Sequence, residues 1–210
     1  MAAHLEEQQD LENFKHFWRT WGRWIFVILL AAALSYLGWT VYRQHQEDRN
    51  REAAALLADL AEKAQAGQDG GQAVNSVLQN LQQNYADSIA AAQASMMVAA
   101  SEFDKGRYET AEAHLNWVLK HQNTPFVSAL AVQRLAVVQL QQQKYDAALA
   151  TLNTPVDAAF SGMIDEMRGD VLSAQNKQQE ALAAYEAALT KVGEHDAARE
   201  LLKLKAEALK

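Results

Sequence analysis

From Trp24 to Tyr42 the chain runs 19 residues without a charged side chain, bracketed by Arg23 and Arg43. No other feature limits the fold as strongly. As a helix rising about 1.5 Å per residue, this stretch would span roughly 28 Å, close to the ~30 Å hydrocarbon core of a bilayer. Aromatic placement agrees: Trp18, Trp21 and Trp24 gather at one end, Trp39 and Tyr42 at the other. Rings with an apolar body and a polar N–H or O–H settle in the two headgroup layers, so these five are expected to be membrane-interface anchors. Phe14, Phe17, Trp18 and Trp21 share one helical face, which predicts an entry along the membrane surface before the chain turns inward. A buried core helix has no use for arginine and aromatic brackets. A cleaved signal peptide would not continue past its Ala31–Ala33 run through Leu34, Tyr36, Leu37 and Trp39, behind a long, partly acidic tail. The reading is an uncleaved single-pass anchor surrounded by lipid. Lys15, Arg19 and Arg23 balance Arg43, Arg49 and Arg51, so flanking charge leaves its orientation open.

Beyond the anchor the chain is a helix former. Ala, Leu, Gln and Glu abound, only two prolines and nine glycines interrupt them, and no stretch alternates with a strand's period of two. The absence of cysteine removes disulfides, thiol chemistry and cysteine-based metal clusters. Residues up to Arg43 carry four basic and four acidic side chains; the remainder holds 15 basic and 22 acidic, the whole of the net charge of −7. An acidic body does not bind nucleic acid by neutralising phosphates.

The helix is expected to continue past Arg43, with Ala53, Leu56, Leu57, Leu60, Ala61 and Ala64 on its apolar positions. "GQDGG" ending at Gly71 reads as a stop, and a second helix carries Val74, Val77, Leu78, Leu81 and Tyr85. Then self-similarity begins in "FDKGRYETAEAHLNWVL", "LQQQKYDAALATLNTPV" and "LSAQNKQQEALAAYEAAL". Ala111, Ala148 and Ala181 correspond, spaced 37 and 33 residues apart. Ala99, Ala136 and Gly169 stand twelve residues before them, and Leu115, Leu152 and Tyr185 four after. Tyr108 and Tyr145 match; Gln178 breaks the pattern. Two antiparallel helices approach closely only where one side chain at the crossing is small, with a large neighbour filling the space beside it. This is the tetratricopeptide arrangement in degenerate form, without its first-helix Trp. Pro125 and Pro155 fall in the turns between repeats. The fold class is therefore all-α: a transmembrane helix followed by a small right-handed α-solenoid. Its boundaries are read as a tail and interfacial helix over 1–23, the transmembrane helix over 24–42, and a linker helix with a first hairpin over 43–88. Three degenerate repeats follow over 89–195, and a capping helix over 196–210 covers the open end with Leu201, Leu202, Leu204 and Leu209.

Chemistry is hard to find. Of the histidines at 4, 16, 45, 114, 121 and 195, only His114 and His121 share a helix face, and no carboxylate stands at chelating spacing. There is no phosphate loop and no nucleophile elbow. Pairs such as Asp165-Glu166 and Glu109-Glu112 sit in first turns, where the helix dipole accounts for them. No enzyme, cofactor, metal or small-molecule substrate is expected. Helical arrays bind instead, through a concave surface lined by their first helices. Repeat register places Gln93, Met96, Ala100 and Phe103 there, then Leu130, Gln133, Val137 and Leu140, then Met163, Glu166 and Asp170. The first two groups are apolar and adaptable, the third acidic. The competing reading puts Phe103, Val137 and Leu140 in the solenoid core.

The order of these pieces resembles one family. "FKHFWRTWGRW", an anchor ending "LGWTVYR", then "RLAVVQLQQQKYDAALATLN" and "MRGDVLSAQNKQQEALAAYEAAL" are similar to the YfgM family of ancillary subunits of the bacterial SecYEG translocon. The most specific pieces are Gly38-Trp39 with Tyr42, Arg134 to Gln141, and Arg168-Gly169-Asp170. The resemblance implies an inner-membrane protein with a cytoplasmic N-terminus and periplasmic repeats. It also implies association with the translocon and with PpiD, a membrane-anchored periplasmic chaperone, and help to nascent secretory chains. A link of the cytoplasmic tail to a stress-response regulator is implied too, though the tail is short here. Rival readings are a membrane-tethered scaffold for envelope assembly or cell division, and a regulator acting through its tail.

Overall fold

With no proline before Pro125 and only isolated glycines near its start, the chain has nothing to interrupt a helix there. α1 runs unbroken from Ala2 to Gln65. The computed structural model describes residues 2–65, 70–193 and 197–209; side chains are described from Trp24 onward except at 70 and 197, and earlier only at Lys15, Trp18, Trp21 and Gly22. The expected turn between a surface segment and the span is absent, because an intact ladder of backbone hydrogen bonds is the cheapest way to enter lipid. The side chains of Phe14 and Phe17, invoked for that turn, lie outside the described residues, as do His4, His16 and His195 and the centre of the expected glycine stop.

The chain divides into two units, Met1–Arg51 and Glu52–Lys210. In the first, an 18-residue window has mean hydropathy 2.0 with none of it buried, so α1 is long and apolar enough to cross a membrane. Leu29, Leu37, Trp39 and Tyr42 are all about three-fifths exposed, an apolar surface that water does not tolerate on this scale. The Thr40 hydroxyl within it donates to the Tyr36 carbonyl at 2.8 Å, so that this side-chain donor is satisfied within the helix.

The second unit is a row of helical hairpins. α2 (Gly70–Asn84) packs with the end of α1 and one face of α3 (Ile89–Asp104): Ala53 and Leu60 meet Val77, Leu78, Leu81, Ala91, Ala94 and Val98 in one small core. α4 (Tyr108–His121) and α5 (Pro125–Gln141) close the second core, on Met96, Ala99, Leu115, Val118 and Leu135. α6 (Tyr145–Thr151) and α7 (Ser161–Ala174) close the third on Ala136, Leu152, Met167 and Val171. α8 (Gln178–Leu189) and α9 (Ala197–Glu207) close the fourth on Ala181, Tyr185, Leu202 and Ala206. Trp117 belongs to the edges of the first and second cores, Leu119 to the second and third, and Leu149 to the third and fourth.

The small–large pairing is realised by volume compensation. Ala111, Ala148 and Ala181 are fully buried, as are Leu115, Leu152 and Tyr185 to within 3%. Where the large residue is leucine the small partner is Ala99 or Ala136; where it is Tyr185, the partner is Gly169, whose added Cβ would lie 2.3 Å from the ring. The turn inside each hairpin is also repeated. Gly106, Gln143 and Asn176 each take a left-handed φ of 60 to 72°. Behind each, one N–H reaches back five residues (Arg107 to Glu102, Lys144 to Gln139, Lys177 to Leu172), which closes the helix end in a Schellman turn. Between repeats, Pro125 opens α5, where its missing N–H costs nothing. Pro155 holds α6 to seven residues, and a 3-10 turn, Ala158–Phe160, fills the gap. Arg168 restores satisfaction there by donating to the Leu152 carbonyl and to Asn153 Oδ1, both at 3.0 Å.

Candidate protein-binding groove

A first helix in such a row has three faces, two of them consumed by packing. On α3 one face meets α2 and another meets α4, and a third remains: Ile89, Gln93, Met97 and Ala100 are exposed, with Met96 and Phe103 along its edge. On α5 the corresponding face carries Phe126, Leu130, Arg134 and Val137. Spacing of four, four and three residues keeps each set on one side of its helix. The two faces border a pair of hollows. One, of about 280 Å³, is lined by residues that include Met96, Ala100, Phe103, Arg134 and Val137. The other, of about 410 Å³, is lined by Ile89, Gln93, Met97, Phe126 and Leu130 among others. Met96 and Arg134 line both, so the hollows adjoin along these two side chains and are together termed the groove. Neither lining contains a carboxylate.

The sequence-read residues divide three ways. Gln93, Met96, Phe103, Leu130 and Val137 come together in the groove. Phe103 is half-buried there, its ring edge-on to Tyr108 at 5.5 Å, so it serves the core and the groove at once. Gln133 lies on α5 outside both linings. Leu140 packs against the third core, with Ala136, Ala148 and Leu152, and is not a groove residue. The third group is covered by its own chain. Lys205 of α9 donates to Glu166 at 2.8 Å and to both Asp170 oxygens at 2.8 and 2.9 Å, while the Tyr185 hydroxyl donates to Asp170 at 2.8 Å. Burial and the Asp170 bond push the Tyr185 hydroxyl well above the usual phenol range. Burial pulls the Lys205 ammonium down, but the two carboxylates outweigh it and hold the pKa above the ordinary lysine value. Glu166 is thus a strut between α7 and α9. Met163, half-buried on the same helix, lies outside the groove linings.

Sequence reasoning missed Ile89, Met97, Phe126 and Arg134. Phe126 was legible as a large apolar residue directly after a helix-opening proline; it is 53% exposed and leans on Phe160 at 5.5 Å. Arg134 was legible as the lone charge in the run from Pro125 to Gln141. Glu102, one of two acidic residues on α3 with Asp104, is occupied: hydrogen bonds from Arg107 hold its carboxyl below the usual range despite partial burial. Among the described residues no cluster of three metal-ligating side chains occurs. The groove offers shape, apolar surface and one cation.

Comparison with known proteins supplies the context. The tetratricopeptide repeat-like domain family matches residues 15–210. A curated relative from Neisseria gonorrhoeae, named ancillary SecYEG translocon subunit, is 54% identical over 210 residues, all of both chains. Relatives of the same name from Haemophilus influenzae and Escherichia coli are each 27% identical over 188 residues. They cover 86% and 89% of this chain, and 91% and 89% of their own. No solved structure matches.

Proposed function

The chain belongs to the tetratricopeptide repeat-like family of ancillary SecYEG translocon subunits, and from that premise we propose that it tethers a polypeptide-binding repeat body beside the translocon. In this reading, residues 1–23 form a cytoplasmic tail and 24–42 cross the inner membrane once. The hairpins up to 195 and the cap over 196–210 stand in the periplasm. The body associates with SecYEG, recruits a PpiD-like periplasmic chaperone, and offers its groove to secretory and envelope chains as they emerge. The role is non-enzymatic. Tethering confines a weak binder to the vicinity of its clients, which raises its effective concentration into the millimolar range for a short linker. The observation that carries this reading is the exposed apolar face shared by α3 and α5, in a chain whose N-terminal helix is long and apolar enough to cross a membrane. Methionines at 96 and 97 suit it to varied sequences, since a flexible thioether repacks around different side chains.

The test is affinity purification of the C-terminally tagged full chain from membranes in mild detergent, with mass-spectrometric identification of what co-purifies. SecY, SecE and SecG together with a PpiD-like chaperone are expected. Envelope-assembly or division proteins without any translocon subunit would sink the reading. A paired comparison then addresses the groove: Val137→Ser should keep the helicity of the body and reduce recovery of chaperone or client. Leu140→Glu should cost helicity, because its side chain belongs to the third core.

A further inference from the structure

The groove holds one charge, and it is a cation with nothing to bind. Arg134 is exposed, lines both hollows, and makes no hydrogen bond or ion pair among the described residues. Most other bases in the repeat region are either engaged (Arg107 and Lys105 with Glu102, Lys144 with Glu112, Arg168 with Asn153, Lys191 with Asp165, and Lys205 with Glu166 and Asp170) or, like Lys120 and Lys177, exposed outside both linings. In a body with 22 acidic against 15 basic residues after Arg43, an unengaged arginine set in an apolar trough away from any carboxylate is out of keeping with its surroundings.

We propose that the groove selects apolar polypeptide segments that carry an internal acidic side chain, with the carboxylate seated on the Arg134 guanidinium. This rests on the groove being a polypeptide-binding surface and adds what that surface recognises. At rest the guanidinium is hydrated at little cost. An apolar segment laid over it would strip part of that water and leave the cation without a partner, which disfavours such a segment. A segment with a carboxylate at that point replaces the water with a planar, two-pronged hydrogen-bonded pair, which arginine forms and lysine does not. The flanking walls read apolar side chains tolerantly, and Arg134 supplies the discrimination, favouring acid, tolerating neutral and rejecting base. The carboxylate belongs to an internal side chain rather than a chain end, because the trough continues past Arg134 both ways, to Phe103 and Val137 on one side and to Ile89 and Phe126 on the other. Ile89 to Phe103 spans roughly 21 Å of α3, room for about six extended residues.

The test uses the full chain in lipid nanodiscs, with empty nanodiscs as the blank, and fluorescent nine-residue peptides blocked at both ends. Each peptide is apolar at the three positions on either side of a central Glu, Gln or Lys. Fluorescence anisotropy is expected to rank them Glu, Gln, Lys, with about tenfold between the first two. Arg134→Gln should erase the ranking and Arg134→Glu should invert it in favour of Lys. Ala100→Trp, which fills the trough, should abolish binding of all three. Equal affinities for Glu and Gln peptides, or a preference that survives in Arg134→Gln, overturn the proposal. If those equal affinities vanish in Ala100→Trp, the groove still binds polypeptide and only its selectivity has been misread. If no peptide binds, both readings fall. Concentration-dependent self-association, lost in Ala100→Trp and unaffected by peptide, would assign the groove to a second copy and overturn the proposal as well.

Discussion

Replacing Gly169 by alanine asks whether volume compensation constrains this architecture. The new Cβ would sit 2.3 Å from Tyr185 Cε1, 2.5 Å from Cδ1 and 2.9 Å from Cζ, against an ordinary carbon contact of about 3.5–4.0 Å. The ring must withdraw by more than ~1 Å to restore that contact, yet it is 3% exposed and its hydroxyl is fixed on Asp170 at 2.8 Å. Overpacking costs about 1–3 kcal/mol, weakening a bond to a carboxylate adds to it, and alanine's better helix propensity offsets about 1. The balance is a destabilisation of about 2–3 kcal/mol, or roughly 4–12 °C for a chain of this size. Thermal denaturation of the full chain in detergent, followed by far-ultraviolet circular dichroism, reads it. Adding Tyr185→Leu to the alanine variant recreates the Ala99–Leu115 and Ala136–Leu152 pairs and should recover most of the loss, a coupling of about 1–3 kcal/mol. In an open helix interior the same Gly→Ala change stabilises by about 1 kcal/mol. An unchanged or raised melting temperature in the single variant would refute the reasoning outright, because the sign itself reports whether there is room.

Two further outcomes follow from local geometry and charge. Gln143 holds a left-handed φ of 60° that Gly106 fills in the first hairpin; Gln143→Gly should stabilise by about 0.5–1 kcal/mol, relief of left-handed strain exceeding the entropy glycine adds to the unfolded chain, seen as a small rise in melting temperature. His114 on α4 is half-buried, and burial pushes its pKa below the ordinary value, with Glu102 partly opposing. The folded state therefore prefers the neutral ring. Its contribution is complete above about pH 6.5 and is lost as pH falls through the folded value. Urea midpoints taken from neutral pH down to about pH 5 should fall less steeply for His114→Gln than for the parent.

The hairpins were legible because their signal is volume at fixed spacing. Ala111, Ala148 and Ala181, and the small–large pairs around them, are buried where the repeat register put them. Gly106 is the residue type suited to a left-handed turn; nothing about glutamine at 143 favours that conformation, and only the equivalence of the three hairpins reveals it. The groove was half legible. Register identifies which helices line it, but not which of two inner faces a residue occupies, and so Leu140 and Val137, three apart on α5, were grouped although one is core and the other is 38% exposed. The third section failed for another reason. Glu166 is engaged by Lys205, 39 residues later, a distance over which periodicity carries no information. At the N-terminus, aromatic spacing suggested a bend, but without a proline the helix had no cause to break.

Four small cores in a row, each sharing a residue with the next, make the body a train rather than a ball. Trp117, Leu119 and Leu149 are its couplings. In such a chain of neighbours, stability passes from link to link and nowhere else. Tension applied at the end of α9 is met first by Leu202, Ala206 and the Lys205 struts, and reaches the groove between α3 and α5 only after two compartments have parted. The groove is thereby insulated from wear at α9, and damage there shortens the train before it derails the groove.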